Sequence, residues 1–517
     1  MTFTPLTGLQ VTAQLQGPAT DWSGDMKIVC IGGGPAGLYF AISAKLRDAG
    51  HDITVFERDP AGATYGWGVV YWDDLRDILY RNDPDSARAI RGESVLWQEQ
   101  RVILRHEQPV YLPGYGFSMS RATLLDILAE RATELGVDVQ YRRGVDDAAA
   151  LADADLVVVC DGANSRMRQL HGDHFGTRVD VGSNPYIWLG TDKVFDSFIF
   201  AFEHTSAGWI WFHAYPSAAD TSTCIVECAQ PSWQALGFDS LSSEDSVRLL
   251  EKIFEHALDG HALISQSRGE QARWLRFAQV TNKTWYRDNL VLIGDAAHTT
   301  HFTLGSGTRL AMIDAVMLAQ SLYEHDELSA ALRSYDRRGR AALRPIQAGA
   351  RTSMAWFERA DRYLNREDPT TFAYSMSGRH GAQPPWRYQM HLATQIPALR
   401  TALRGFHTAR RHYLARRRGG PADDPFPCGA QHEVPGHRDQ DACGGDQPDG
   451  RTGIEHEDHD ERVEQGNQGE AQMRDVACRR SRGTARPDPA GLVGAPHHDQ
   501  AEQGEGGEEH PGGHVDH

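Results

Sequence analysis

Three short segments carry residues whose types and spacing suit nucleotide binding. Gly32, Gly34 and Gly37 stand in Gly32-Gly-Gly-Pro-Ala-Gly37, with Ala36 inside the turn. Glycines at this spacing let a chain turn sharply and bring its amides against a pyrophosphate at the positive end of the next helix. Glu57 lies twenty residues beyond Gly37, where a carboxylate can accept hydrogen bonds from both hydroxyls of a ribose. Asp161-Gly162 follows the apolar run Leu156-Val-Val-Val-Cys160, and Gly294-Asp295 follows Leu290-Val-Leu-Ile293. In a flavoprotein a carboxylate placed like Asp295 can hold a ribityl hydroxyl, which a plain nicotinamide lacks. It can also cap the helix that follows.

The elements that must position these residues are legible as periodicities. Lys27–Ile31 reads as a strand, and Leu38, Ala41, Ile42 and Leu46 as one helical face. Ile53–Phe56 reads as a second strand, which completes one βαβ unit. A helix is predicted from Arg121 to about Leu135. Between Pro185 and Ala229 the pattern turns to long β segments, with Ser197–Phe202, Trp209–His213 and Thr223–Glu227 as antiparallel strands. Helix returns at 243–258, after Ile293, at 328–365 and at roughly 386–418. The predicted fold is α/β: a Rossmann-type FAD-binding domain interrupted by an antiparallel β substrate domain, then C-terminal helices and a disordered tail. The expected divisions are a flexible leader 1–25, the first part of the FAD-binding domain 26–180, the β-sheet substrate domain 181–275, the second part of the FAD-binding domain 276–345, C-terminal helices 346–418 and an acidic tail 419–517.

Composition sets outer limits. Apolar residues thin out beyond Gly419, too sparse to offset the entropy of ordering that stretch. The tail has the look of a reading-frame artefact, and its scattered histidines carry no metal-ligand spacing. A net charge of −18 over 517 residues argues against a nucleic-acid binder. The chain uses 47 Arg against five Lys, read as compositional bias with no basic patch expected. Seven Cys without a CxxC pair fit a reduced, cytoplasmic protein. No secretory leader and no apolar run of about 18 to 20 residues is seen, so no membrane association is expected. No metal site and no Ser/His/Asp nucleophile arrangement is predicted.

These segments resemble the single-component flavin aromatic hydroxylases, the family of p-hydroxybenzoate hydroxylase. The resemblance rests on the Gly32–Gly37 fingerprint with Glu57, on Cys160-Asp-Gly-Ala-Asn-Ser-Arg166 and on Gly294-Asp-Ala-Ala-His298, in that order over residues 26–345. It implies that Asp161-Gly162 lies near the FAD pyrophosphate and that Arg121 contacts the flavin. Most members carry a proline four residues after His298; here Phe302 stands there. That departure, with Tyr65-Gly-Trp-Gly-Val-Val70, His213-Ala-Tyr-Pro216, Ser222–Glu227, Trp356-Phe-Glu358 and Arg362-Tyr363, is similar to the salicylyl-CoA and 2-aminobenzoyl-CoA hydroxylase branch. Hydroxylases of tryptophan-derived pigments lie close to the same branch.

The resemblance implies an FAD-dependent monooxygenase. NADPH or NADH is the co-substrate, and one oxygen atom of O2 reaches an electron-rich ring through a flavin C4a-hydroperoxide. The substrate expected is an aromatic small molecule, either an aryl thioester on CoA or a carrier protein, or an indole-type acid. A homodimer is the expected assembly, and no nucleic-acid partner. Trp67–Val70 and His301–Gly305 are expected to wall the flavin ring, with Gly305 and Gly307 bringing amides to its pyrimidine edge. His213 and His301 are candidates for a polar contact to the substrate, beside Phe302, although each reads equally well as a packed histidine. The alternatives are an FAD-dependent reductase or dehydrogenase on the same fold, a halogenase, and a non-catalytic carrier that kept the dinucleotide fold. The halogenase motif fails, because Trp209-Ile-Trp211 continues with Phe-His and no lysine stands between Lys45 and Lys193.

Overall fold

The structure is a computed structural model. It describes residues 25–417 apart from 65, 146–150, 268–269, 380–383 and 385. The expected leader (except Asp25), the expected tail and Tyr65 lie outside the described residues.

Two sheets organise the chain. The first runs Tyr286–Arg287, Leu290–Leu292, Leu156–Val159, Lys27–Ile31, Asp52–Phe56, Asp138–Gln140. All neighbours are parallel except the edge pair 286–287 with 290–292. Its inner strands are nearly continuous apolar runs because both faces are covered. Helices Pro35–Arg47 and Gly307–Glu324 pack against each other over the same core. The four inner parallel strands end on one side, so Gly32, Glu57, Asp161 and Gly294-Asp295 emerge along a single rim. In open parallel sheets that rim is where ligands bind.

The second sheet has nine strands. Its order is Leu263–Ile264, Arg178–Thr191, Ser222–Cys228, Gly208–Pro216, Phe198–Thr205, Val95–Leu104, Val110–Ser120, Gly68–Tyr71, with Leu275–Thr281 also pairing with Arg178–Thr191. Strands 68–71, 95–104 and 110–120, which the sequence reading kept within the nucleotide-binding stretch 26–180, thus pair in this second sheet. One junction is parallel rather than antiparallel, with Gln100 opposite Phe198. The strand 95–104 was hidden because Glu99 and Gln100 are buried within it, at 6% and 2% exposure, and break its apolar alternation.

The C-terminal helices brace the second sheet. Leu328–Phe357 is followed by Ala360–Leu364, Pro369–Ser377, Trp386–Thr394 and Pro397–Arg417. Trp209 Nε1 donates to Asn365 Oδ1 at 2.8 Å. Gln395 both accepts from the Tyr111 amide and donates to its carbonyl, each at 2.9 Å. From Trp386 to Arg417 there are seven arginines and no Asp or Glu. No described helix is long and apolar enough to cross a membrane.

Candidate active site

The glycine turn is built by close approach. Gly32 sits at φ +115°, and a Cβ there would lie 2.4 Å from the Cys160 carbonyl. Its amide donates to the Phe56 carbonyl at 2.8 Å. A Cβ on Gly37 would lie 2.2 Å from the Gly32 carbonyl and 2.7 Å from Cys160 Sγ. Gly34 differs, since a Cβ there would meet nothing within 4 Å. It caps helix Pro35–Arg47, whose first turn holds no acidic residue, and so opens the positive end of the helix to a ligand. Glu57 accepts from the Gly33 amide at 2.7 Å and the Asp59 amide at 2.9 Å. It orders the turn and keeps lone pairs for a ribose.

The second and third segments close on this turn. Ala36 faces Gly294, where a Cβ would lie 2.9 Å from the Ala36 Cβ. Arg168, which sequence reading missed, ties the two segments together, donating to Ala296 O at 3.1 Å and Ala163 O at 2.5 Å. Burial lowers the Arg168 guanidinium pKa, and the carboxylates of Asp161 and Asp295 oppose the shift. Asp161 accepts from the Arg166 amide at 3.0 Å through one oxygen, while its buried Oδ1 has no partner. Burial raises the Asp161 pKa, against hydrogen bonds from Ser165 and Arg166.

Asp295 is exposed to solvent, yet surrounding protein desolvates its carboxyl and pushes the pKa up, against the pull of Arg121, His298 and Arg168. Accessible and crowded together describe a groove. Arg121 faces the same groove. It opens helix Arg121–Glu134, and its amide donates to Trp67 O at 2.9 Å. Its Nε is buried without a partner. Burial lowers its pKa, and the Asp295 charge raises it.

Asp314 holds the loop after the last parallel strand, accepting from the Gly294 amide at 3.0 Å with His298 Nε2 at 2.7 Å. Gly305 has φ +61° and ends the short turn Phe302–Leu304, and a Cβ there would lie 2.5 Å from Val70 Cγ2. Val70 and Gly305 are therefore adjacent. Gly307 opens helix Gly307–Glu324 with free space where a Cβ would stand.

Beside this loop stands an aromatic wall. Phe302 lies 4.7 Å from the Tyr186 ring and 5.9 Å from the His213 ring. Tyr186 is pushed up to about 12 by burial and by the Asp295 carboxylate, so its hydroxyl stays protonated. The two histidines sit behind the wall, His213 at 2% and His301 at 4% exposure. His213 Nε2 lies 3.5 Å from Glu227 Oε2 without hydrogen-bond geometry. Glu227 accepts from Asn184 at 2.8 Å and Trp211 at 3.3 Å. Burial raises the Glu227 pKa, while contacts with His213 and Asn184 pull it down, and the net shift is downward. Burial lowers the His301 pKa to about 4, and its Nδ1 lies 2.9 Å from Thr303 Oγ1. Thr303 Oγ1 continues to Ser353 Oγ at 2.8 Å, and Ser353 to Arg379 Nε at 3.2 Å. Arg379 is 2% exposed, and burial alone lowers its pKa, to about 9.

Comparison with known proteins bears on the same residues. A family model described as an FAD binding domain matches residues 115–348. A salicyloyl-CoA 5-hydroxylase from a Streptomyces species is 40% identical over 360 residues, covering 68% of this chain and 69% of that protein. The chain belongs to the FAD-dependent aromatic monooxygenases. A 3-hydroxy-4-methyl-anthranilyl-(aryl-carrier protein) 5-monooxygenase from Streptosporangium sibiricum is 36% identical, covering 65% of this chain and 90% of that one. A crystal structure of 2-methyl-3-hydroxypyridine-5-carboxylic acid oxygenase superimposes with a TM-score of 0.52 at 20% identity, over 70% of this chain and 94% of that chain, a likeness of fold. The protein is thus an FAD-dependent oxidoreductase with NAD(P)H as co-substrate.

The residues present fit FAD as an FAD-dependent monooxygenase requires. Gly34, Gly162 and Gly307 leave open space where a side chain would project. Arg121 Nε and Asp161 Oδ1 are buried without partners. Among the described residues no metal-binding group of His, Cys, Asp or Glu occurs. Arg168, Tyr186, Glu227 and Arg379 were not named as site residues from sequence. Glu227 alone left a signal, as a carboxylate ending the apolar strand 223–227.

Proposed function

We propose that this monooxygenase hydroxylates an electron-rich aryl thioester. Gly32, Gly34, Ala36, Gly37 and Glu57 hold the adenosine and pyrophosphate of FAD, with Asp161 beside them. Asp295 and Arg121 hold the ribityl chain and ring, and Gly305 and Gly307 the pyrimidine edge. When bound, FAD supplies reduction by NAD(P)H and the activation of O2.

The protein's own part is placement and dryness. Tyr186 and Phe302 form the face on which the substrate ring rests. The Tyr186 hydroxyl, protonated at working pH, donates to the ring substituent or the thioester carbonyl. His213, Glu227 and His301 act from behind this face as positioning residues. Glu227 and His213 pack behind the wall and hold its shape, and neutral His301 fixes the turn that carries Phe302. The single observation that carries the reading is the junction at Tyr186, whose ring packs on Phe302 while its hydroxyl feels Asp295. The two similar enzymes named for CoA-bound and carrier-bound aryl substrates support the substrate class.

The test is to titrate the holoenzyme with salicylyl-CoA, 2-aminobenzoyl-CoA and tryptophan, following flavin reduction, O2 uptake and product mass. A thioester should accelerate reduction and gain one oxygen atom. Acceleration by tryptophan alone would move the substrate to the indole class. Reduction without oxygen transfer to any of the three would favour a reductase.

A further inference from the structure

A CoA thioester offers two unlike ends. Its ring must enter a dry site, while its phosphates are costly to bury without charge partners. The polyanionic end therefore needs a cationic seat on the surface. The helix pair Trp386–Thr394 and Pro397–Arg417 offers arginines for it, seven in its sequence with no acid among them.

An open surface cleft lies where this helix pair meets strand Val110–Ser120, lined by Glu99, Tyr111, Tyr115, Arg400, Arg404 and His407. The Arg400 guanidinium lies over the Tyr111 ring, 3.4 Å from its centroid. Its Nε and Nη1 are buried without hydrogen-bond partners. Arg404 pairs with Glu99, which Arg101 also holds at 3.0 Å, so Glu99 does not depend on Arg404 alone. The strand beneath runs from the cleft directly into Arg121, at the flavin groove. At about 3.3 Å per residue, Pro113 to Arg121 spans roughly 26 Å, the order of an extended pantetheine arm with its thioester and ring.

We infer that this cleft binds the 3′-phosphorylated adenosine diphosphate end of a CoA thioester, with the adenine on the Arg400–Tyr111 stack and the phosphates on Arg404 and His407. The inference rests on the thioester reading above and commits it to CoA. Arginine suits the role because its planar fork stacks on rings and binds phosphate through paired N–H groups.

Coenzyme A, 3′-dephospho-coenzyme A and adenosine 3′,5′-bisphosphate are titrated calorimetrically into holoenzyme at two salt concentrations, with Arg400→Ala and Arg404→Gln alongside. Flavin content and melting temperature report on folding. Coenzyme A and the bisphosphate should bind, more weakly at high salt. Removing the 3′-phosphate or either arginine should raise Kd about ten-fold, the scale of one charge-assisted contact. The KM for an aryl-CoA should rise in both variants, and the KM for the matching aryl-pantetheine thioester should not. Absence of coenzyme A binding to the wild type overturns the proposal, as do unchanged affinities in correctly folded variants or competition with NADPH instead of aryl-CoA. An arginine dependence confined to an aryl-carrier-protein substrate overturns it in favour of an acidic protein partner. If the bisphosphate binds through Arg400 but no thioester is hydroxylated, the thioester reading fails and the anion site stands. If an aryl-CoA turns over indifferently to both arginines, the anion site fails and the thioester reading stands.

Discussion

Gly34 and Gly37 stand three residues apart in one turn and should fail in opposite ways when each is changed to alanine. At Gly37 the new Cβ would sit 2.2 Å from the Gly32 carbonyl and 2.7 Å from Cys160 Sγ. Backbone cannot yield there without opening the helix from the sheet, so overpacking should cost about 1–3 kcal/mol and lower the melting temperature of the apoprotein. At Gly34 the Cβ would meet nothing within 4 Å, and φ is −76°, which alanine adopts freely. The weaker N-cap and the less flexible unfolded chain nearly cancel, each on the order of 0.5–1 kcal/mol. Apoprotein stability should therefore stay level. The methyl would instead occupy the space assigned to the pyrophosphate. Losing one charge-assisted amide contact costs about 1.5–3 kcal/mol, or roughly 10–100-fold in FAD Kd. The assays are thermal melting of apoprotein and quenching of flavin fluorescence on titration. A G34A protein that binds FAD within two-fold of wild type would refute the assignment of the turn.

Arg168→Met removes the donors to Ala163 O and Ala296 O. The stability loss should be about 2 kcal/mol after relief of the buried charge, with weaker FAD binding, as read by urea melts and flavin titration. His301 should shape the acid limb of stability. Its folded pKa of about 4 lies below the ordinary 6.5, so between those values the unfolded chain binds more protons. Stability due to this group is complete above about pH 6.5 and is lost as pH falls toward 4, by roughly 3 kcal/mol in all. His301→Asn, which keeps an acceptor for the Thr303 amide, should flatten the slope of unfolding free energy against pH in that window by up to one proton. An unchanged slope would mean that His301 is not neutral in the folded protein.

The parallel sheet was legible because its strands are buried on both faces and its turns need glycine. Lys27–Ile31, Leu156–Val159 and Leu290–Leu292 announce themselves by composition, and Gly32 and Gly294 by the conformations they alone tolerate. The hairpin 95–120 was not legible, since Glu99 is paired with the distant Arg404 and Gln100 is buried beside it, so the strand loses its apolar alternation. The same holds at the site. Glu57 and Asp295 follow from spacing, whereas Arg168 and Arg379 act across more than seventy residues of sequence. Tyr186 sits in a strand where a tyrosine needs no special reason. The arginine-rich stretch 386–417 was visible as composition, but that Arg400 stacks on Tyr111 was not.

Arg379 gives the sharpest separation between stability and function. Its guanidinium is buried, no carboxylate pairs with it among the described residues, and Phe200 and Phe357 lie 5.8 and 5.6 Å from it. Its N–H groups reach Ser353 Oγ at 3.2 Å, Met376 O at 2.8 Å and Thr303 O at 3.4 Å. Burying such a charge costs several kcal/mol, which the three bonds offset only in part. Arg379→Met fills the same apolar slot without that cost, so unfolding free energy in urea should change by less than about 1 kcal/mol in either direction. Function should respond differently. The bonds to Ser353 and Thr303 fix the turn that carries Phe302 and ends at Gly305, which joins the aromatic wall to the proposed flavin edge. Loosening it admits water and misplaces the ring, so NAD(P)H oxidation should persist while the fraction of reducing equivalents recovered as hydroxylated product falls. A loss above about 3 kcal/mol with coupling intact would make Arg379 a plain structural post, and the link from the C-terminal helices to the active site would have to be abandoned.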